Sequence, residues 1–246
     1  GFTGKPGQLL VVPGEDGSPT EALFGIGTRF DPFSVRSLTP RLPQGDWRLE
    51  GVTGEALEKA ALAFALGGYV FDRYKKRERP TARLVVENLD LTETLNIAAA
   101  AQLTREMVDT PAQDMGPLQL ETIAREISEA HGARLTVTTG DRLLEDNYPA
   151  VHTVGRAAVP ERAPRVLEIG WKLDQTDLPL IALVGKGVVF DTGGLNLKPG
   201  AGMRNMKKDM GGAAHALSLG RLVMQSGLNL RLVVLVAAVE NAVSSD

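Results

Sequence analysis

Apolar positions along the chain fall into segments of two different periods. Short runs at Gln8–Val12 and Ala22–Ile26, each bounded by Gly and Pro, read as strands. From Glu55 to Tyr74 the residues Leu57, Ala60, Ala61, Phe64 and Ala65 recur three and four apart, which predicts a helix with one buried face. A strand is expected at Ala82–Val86. Asp90 and Glu93, three apart, form a capping-box-like start for a helix reaching about Val108, and Asp109–Thr110–Pro111 stops it. Pro117 and Gly132 then bracket an amphipathic helix carrying Leu120, Ile123, Ala124 and Ile127 on one face. Further strands are expected at Arg134–Thr138, Arg165–Trp171, Leu180–Val184 (short and buried) and Leu230–Val239, with a small-residue helix over Met210–Met224.

Strand and helix taking turns predicts an α/β fold whose sheet is mostly parallel and covered on both faces. The expected organisation is a small N-terminal α/β domain (1–88), a linker helix (89–110) and an α/β/α domain from 111 to 246. In such sheets ligands sit beyond the carboxyl ends of the strands, so the residues after Leu180–Val184 are the place to look.

Composition narrows the class. With 246 residues, 43% hydrophobic and 23% charged, disorder, collagen-like repeats and coiled coil are poor explanations. Thirty acidic against 27 basic residues give a net charge of −3, which argues against a nucleic-acid partner or an anionic-membrane surface. The cluster Lys75, Lys76, Arg77 and Arg79 reads as a solvated exit from the preceding helix. The absence of cysteine excludes disulfides, thiolate metal sites and a cysteine nucleophile, and fits a cytoplasmic location. His131, His152 and His215 stand at no ligand-like spacing, so any metal has to be held by other donors. The longest apolar run, Leu232–Val239, is far below the ~20 residues of a membrane helix. Gly1 opens no secretory signal, and both ends look cut, as in a piece of a longer protein.

The chemistry concentrates in VGKGVVFDTGGLNLKPGAGMRNMKKDMGGAA, residues 184–214. Its glycines permit close backbone approach around Lys186, Asp191, Lys198, Arg204, Lys207, Lys208 and Asp209. Taken singly, Asp209 as a helix cap and Lys186–Asp191 as a salt bridge are the commoner roles. A phosphate loop fails for want of G-x-x-x-x-G-K-[ST], and no G-x-S-x-G serine elbow occurs. What remains is a cation site of carboxylate oxygens with a lysine amine as an extra ligand, a donor set suited to Mg²⁺, Mn²⁺ or Zn²⁺.

The same segment resembles the leucyl aminopeptidase (M17) family of dinuclear metallopeptidases. VGKGVVFDTGG, LNLKP and MKKDMGGAA occur in the family's order and spacing, joined by TREMVDTPAQDMGP (104–117), AAVENAV (237–243) and, more faintly, ALGGYVFDRYKK (65–76). The resemblance implies a macro-like N-terminal domain and a metallopeptidase catalytic domain. It implies hydrolysis of the N-terminal, leucine-like residue of peptides by a hydroxide activated between two metals.

Carried over by position, Lys186, Asp191 and Asp209 fall on metal ligands, with Asp191 bridging. Lys198 falls on the catalytic lysine that holds the substrate carbonyl, and Met206 on the wall of the first side-chain pocket, where core packing is an equal alternative. Lys186, Asp191, Lys198, Met206 and Asp209 are thus also the expected substrate-binding residues. The implied cofactors are two divalent ions (manganese or zinc, with magnesium or cobalt as alternatives) and a bicarbonate. The implied partners are peptides with a free N-terminus and further copies of the chain in a hexamer.

The family's remaining aspartate and glutamate ligands and its bicarbonate-holding arginine belong to an N-T-D-A-E-G-R motif that this sequence does not contain. On that ground the 246-residue chain alone is expected to bind one metal weakly and to have negligible peptidase activity, with Leu232–Val239 left as a core strand lacking its later neighbours and prone to aggregate if exposed. The alternative is a catalytically incomplete member serving as a structural or regulatory module, including DNA-binding regulation.

Overall fold

The computed structural model describes residues 1–78 and 80–243; Arg79 of the basic cluster lies outside the described residues. The chain forms two units, residues 1–102 and 103–246. In the first, β1 (Leu9–Pro13) and β2 (Pro19–Phe24) pair antiparallel. A 3₁₀ turn at Pro32–Ser37 leads to β3 (Gly45–Trp47). Helix α1 (Gly54–Gly67) follows, then β4 (Ala82–Leu84), which pairs parallel with β3. Val35, Leu38, Ala60, Ala63, Phe64 and Ala82 form the core of this unit.

Helix α1 stops at Gly67 rather than running to Tyr74. A Cβ at Gly67 would lie 2.3 Å from the Arg36 carbonyl oxygen, so the helix crosses the 3₁₀ turn backbone to backbone there. Helix α2 (Thr92–Asp109) begins where expected, with Asp90 Oδ1 accepting from the Thr92 amide at 2.9 Å.

The second unit continues with α3 (Pro117–His131), which ends at Gly132 in the left-handed conformation (φ 62°). Then come β5 (Arg134–Thr139), α4 (Arg142–Glu145), α5 (Pro149–Gly155), β6 (Arg165–Trp171) and β7 (Leu180–Asp191). The last elements are α6 (Gly200–Met203), α7 (Gly211–Gln225) and β8 (Arg231–Asn241). The strand order is β5-β6-β8-β7. Three of the four strands share one direction while β6 runs against them, so only the β7–β8 pairing is parallel.

Leu167, Ile169, Leu232, Val234, Val236 and Ala238 on one sheet face pack with Leu120, Ala124, Ile127, Ala213, Ala214 and Leu217 of α3 and α7. Two expectations are corrected. Leu180–Val184 is neither short nor buried: β7 spans twelve residues at an edge of the sheet, and Val184, pointing away from the α7 face that Gly185 meets, is 76% exposed. Leu232–Val239 is not left with an open side to aggregate through, since β8 is flanked by β6 and β7.

Candidate metal centre

The carboxyl end of β7 and the segment before α7 build the site together. Glycines make their approach feasible. A Cβ at Gly185 would lie 2.7 Å from the Ala213 Cα, and one at Gly212 would lie 2.8 Å from the Lys186 amide nitrogen. Backbone therefore meets backbone, and Asp209, in the 3₁₀ turn Met206–Met210 that precedes α7, comes to Lys186. Lys186 Nζ lies 3.1 Å from Asp209 Oδ2, and Lys208 Nζ lies 3.4 Å from Oδ1.

Lys186 and Asp191 are five apart, which would put them on opposite faces of a regular strand. The register resolves this. Val188 pairs with Val239 but Phe190 with Glu240, leaving Val189 as an extra residue in a β-bulge. Lys186 then stands opposite Ala237 and Asp191 opposite Asn241, partners four apart on β8. The bulge thus returns Asp191 to the Lys186 face.

Beyond Asp191 the chain turns through Gly193 and Gly194, both with positive φ (88° and 84°), a conformation that disfavours a side chain. The turn brings Lys198 back. Its Nζ lies 2.9 Å from Asp191 Oδ2 and 3.2 Å from Met206 Sδ. Asp191 Oδ1 accepts from the Gly193 amide at 2.9 Å and from Asn241 Nδ2 at 2.7 Å. Burial alone would raise the Asp191 carboxyl, but Lys198, the Gly193 amide and Asn241 hold it at about 2.

All five residues singled out in the sequence stand on these two segments, as the pairs Lys186–Asp209 and Lys198–Asp191 with Met206 against Lys198. Among the described residues no group of three or more His, Asp or Glu side chains converges as a metal site. The candidate donors are therefore two carboxylates and an amine. Their types suit a hard divalent cation, and 3.1 Å between Lys186 Nζ and Asp209 Oδ2 matches the edge between two donors each ~2.1 Å from one ion.

Sequence reasoning missed the support around this cluster. Lys207 Nζ donates to the Met107 carbonyl oxygen at 2.7 Å, and burial lowers its ammonium to about 8 against the pull of Asp109. Arg162 pairs with Glu240 and donates to the Ala112 carbonyl oxygen at 2.8 Å, tying the 111–116 loop to the end of β8. A polar Glu–Asn pair closing an apolar strand at its carboxyl end was the available signal for Glu240 and Asn241.

Comparison with known proteins follows the same boundaries. Residues 102–246 match the model of the cytosol aminopeptidase family catalytic domain, and residues 1–87 match the M17 aminopeptidase N-terminal domain. A probable cytosol aminopeptidase from Rhodococcus opacus is 30% identical over 100% of this chain and 53% of its own length. One from Roseiflexus castenholzii is 32% identical over 98% of this chain and 55% of its own length. The crystal structure of cytosol aminopeptidase from Coxiella burnetii superimposes with a TM-score of 0.91 at 36% identity, covering 98% of this chain and 52% of that one. The bottromycin maturation enzyme BotP in complex with Mn gives 0.82 at 29% identity, covering 98% and 55%. The chain spans about half the length of these relatives. With its catalytic-domain model matched across more than half of its residues, the chain belongs to the cytosol aminopeptidase (M17) family.

Proposed function

We propose that this chain carries the first part of the active site of a metal-dependent aminopeptidase that removes the N-terminal, leucine-like residue from peptides. The observation that carries this reading is the pairing of Lys186 with Asp209 and of Lys198 with Asp191 along the carboxyl-terminal part of β7. Lys186, Asp191 and Asp209 would hold a divalent cation. Once bound, such an ion supplies Lewis acidity and lowers the pKa of water. Manganese is the first choice because BotP was solved with Mn; zinc, magnesium and cobalt share the same donor chemistry. A second ion, the bicarbonate, hexameric assembly and a cytoplasmic location complete the reading by family analogy. Among the described residues no helix is long and apolar enough to cross a membrane.

The residues divide the work by charge state. Lys186 has to be a neutral amine to donate its lone pair to a cation, whereas Lys198 does its work as an ammonium. Released from Asp191, Lys198 faces the scissile carbonyl oxygen, where negative charge grows during attack. Met206, beside it, walls the pocket for the first side chain. An electrostatic stabiliser of the Lys198 kind is worth ~2.7–4 kcal/mol of barrier. In the complete gene product, Lys198→Ala is therefore expected to lower kcat on leucine p-nitroanilide by ~10²–10³ with bound metal unchanged. Full kcat in that variant overturns the assignment.

A further inference from the structure

We propose that Asn241 is a positioning residue that orients the Asp191 carboxylate for a divalent cation, an inference that rests on the reading of Asp191 as a ligand. Asp191 is held at both oxygens, but its partners are not equivalent. Oδ1 accepts from Asn241 Nδ2 at 2.7 Å and from the Gly193 amide at 2.9 Å. A carboxylate oxygen offers about two lone-pair sites, so these donors fill Oδ1. Among the described residues Oδ2 meets only the Lys198 ammonium, on a flexible stem with 31% side-chain exposure. Oδ2 is thus the oxygen whose partner a cation can replace.

Gly193 is a neighbour in the chain and moves with the turn. Asn241 reaches Asp191 from another strand. Its own carbonyl oxygen accepts from the Thr192 amide at 3.0 Å and the Thr192 hydroxyl at 2.9 Å. The preceding residue, Glu240, is ion-paired with Arg162, which also grips the Ala112 carbonyl oxygen. The amide is therefore mounted on β8 and its Glu240–Arg162 anchor, while the Thr192 bonds join that strand to the start of the 193–198 turn. Its neutrality matters as well: a lysine here would compete with a cation, and an aspartate would repel Asp191.

The test uses the complete gene product and Mn²⁺ alone, titrated by the EPR signal of the free ion. Removing a residue that orients a ligand commonly costs 10–100-fold in metal affinity. Asn241→Ala is expected to weaken Mn²⁺ binding at least tenfold, and Asn241→Gln, which keeps an amide donor, to recover part of the loss. Circular dichroism and thermal melting without metal establish that each variant is folded; where Asn241→Ala does not fold, Asn241→Gln against wild type decides, with weaker binding expected from the displaced amide.

Asp191→Asn separates the two levels of the argument. Loss of Mn²⁺ in Asp191→Asn with wild-type affinity in the folded Asn241 variant overturns the positioning role alone. Wild-type affinity in Asp191→Asn, or no Mn²⁺ binding by the complete wild-type protein, overturns the ligand reading and this inference with it.

Discussion

Charged side chains in this protein differ in energetic weight according to what surrounds them. Arg165 is 5% exposed, and its Nη1 lies 2.5 Å from Glu121 Oε2, the carboxylate that also accepts from Arg125 at 2.9 Å. Arg48 and Glu87 pair at 2.6 Å with side chains 66% and 62% exposed. Removing one member of a buried pair strands a charge in a medium that solvates it poorly, at a cost of ~3–5 kcal/mol. An exposed pair is worth ~1 kcal/mol or less because water and salt replace the partner. Glu121→Ala is therefore expected to lower the urea midpoint strongly and Glu87→Ala hardly at all. Equal effects in parallel unfolding curves would contradict this. The same reasoning marks Lys207, half-buried against the Met107 carbonyl oxygen, as a fastener of the segment that carries Asp209.

Among the elements, β7 carries most of the information. Its bulge at Val189 turns an odd spacing into a shared face, and its glycines let α7 approach to backbone contact. The second feature is directly testable. In Gly185→Ala the new methyl would sit 2.7 Å from both the Ala213 Cα and the Gly212 carbonyl oxygen, neither of which can rotate away. Overpacking of this kind costs ~1–3 kcal/mol. The helix has to retreat, and Lys186 and Asp209 with it. Gly185→Ala should thus lower the melting temperature and weaken Mn²⁺ binding together, whereas the solvent-facing Gly202→Ala, with nothing within 4 Å of its Cβ, should do neither. A Gly185→Ala protein as stable as wild type would show that the contact is looser than described.

For the molecule as a whole, the strand order decides where the chain is vulnerable. With β8 inside the sheet, its two edges among the described residues are β5 and β7, and β7 is the apolar one: Leu180, Ile181 and Val184 are exposed and followed by exposed Leu195 and Leu197. A long apolar edge offers unpaired amides and carbonyls to another chain. Val184→Lys places a charge on that edge and touches no core contact, so light scattering of the 246-residue chain should fall while its circular dichroism stays the same. Aggregation equal to wild type would place the sticky surface elsewhere.

By itself the sequence determined what neighbouring residues can decide. Pro117 and Gly132 marked the ends of α3, Asp90 marked the start of α2, and the apolar periods gave the strands of the second unit. Lys186, Asp191, Lys198, Met206 and Asp209 were legible too, because they lie within 24 residues of one another in a segment whose glycine density is itself a signal. Tertiary structure alone decided the short β3 strand, the edge position of β7, the bulge, and the support from Asn241, Glu240 and Arg162. These depend on register and on contacts between residues 50 to 78 positions apart. A local pattern carries no record of which strand will lie alongside, and that neighbour fixes which way Asp191 points.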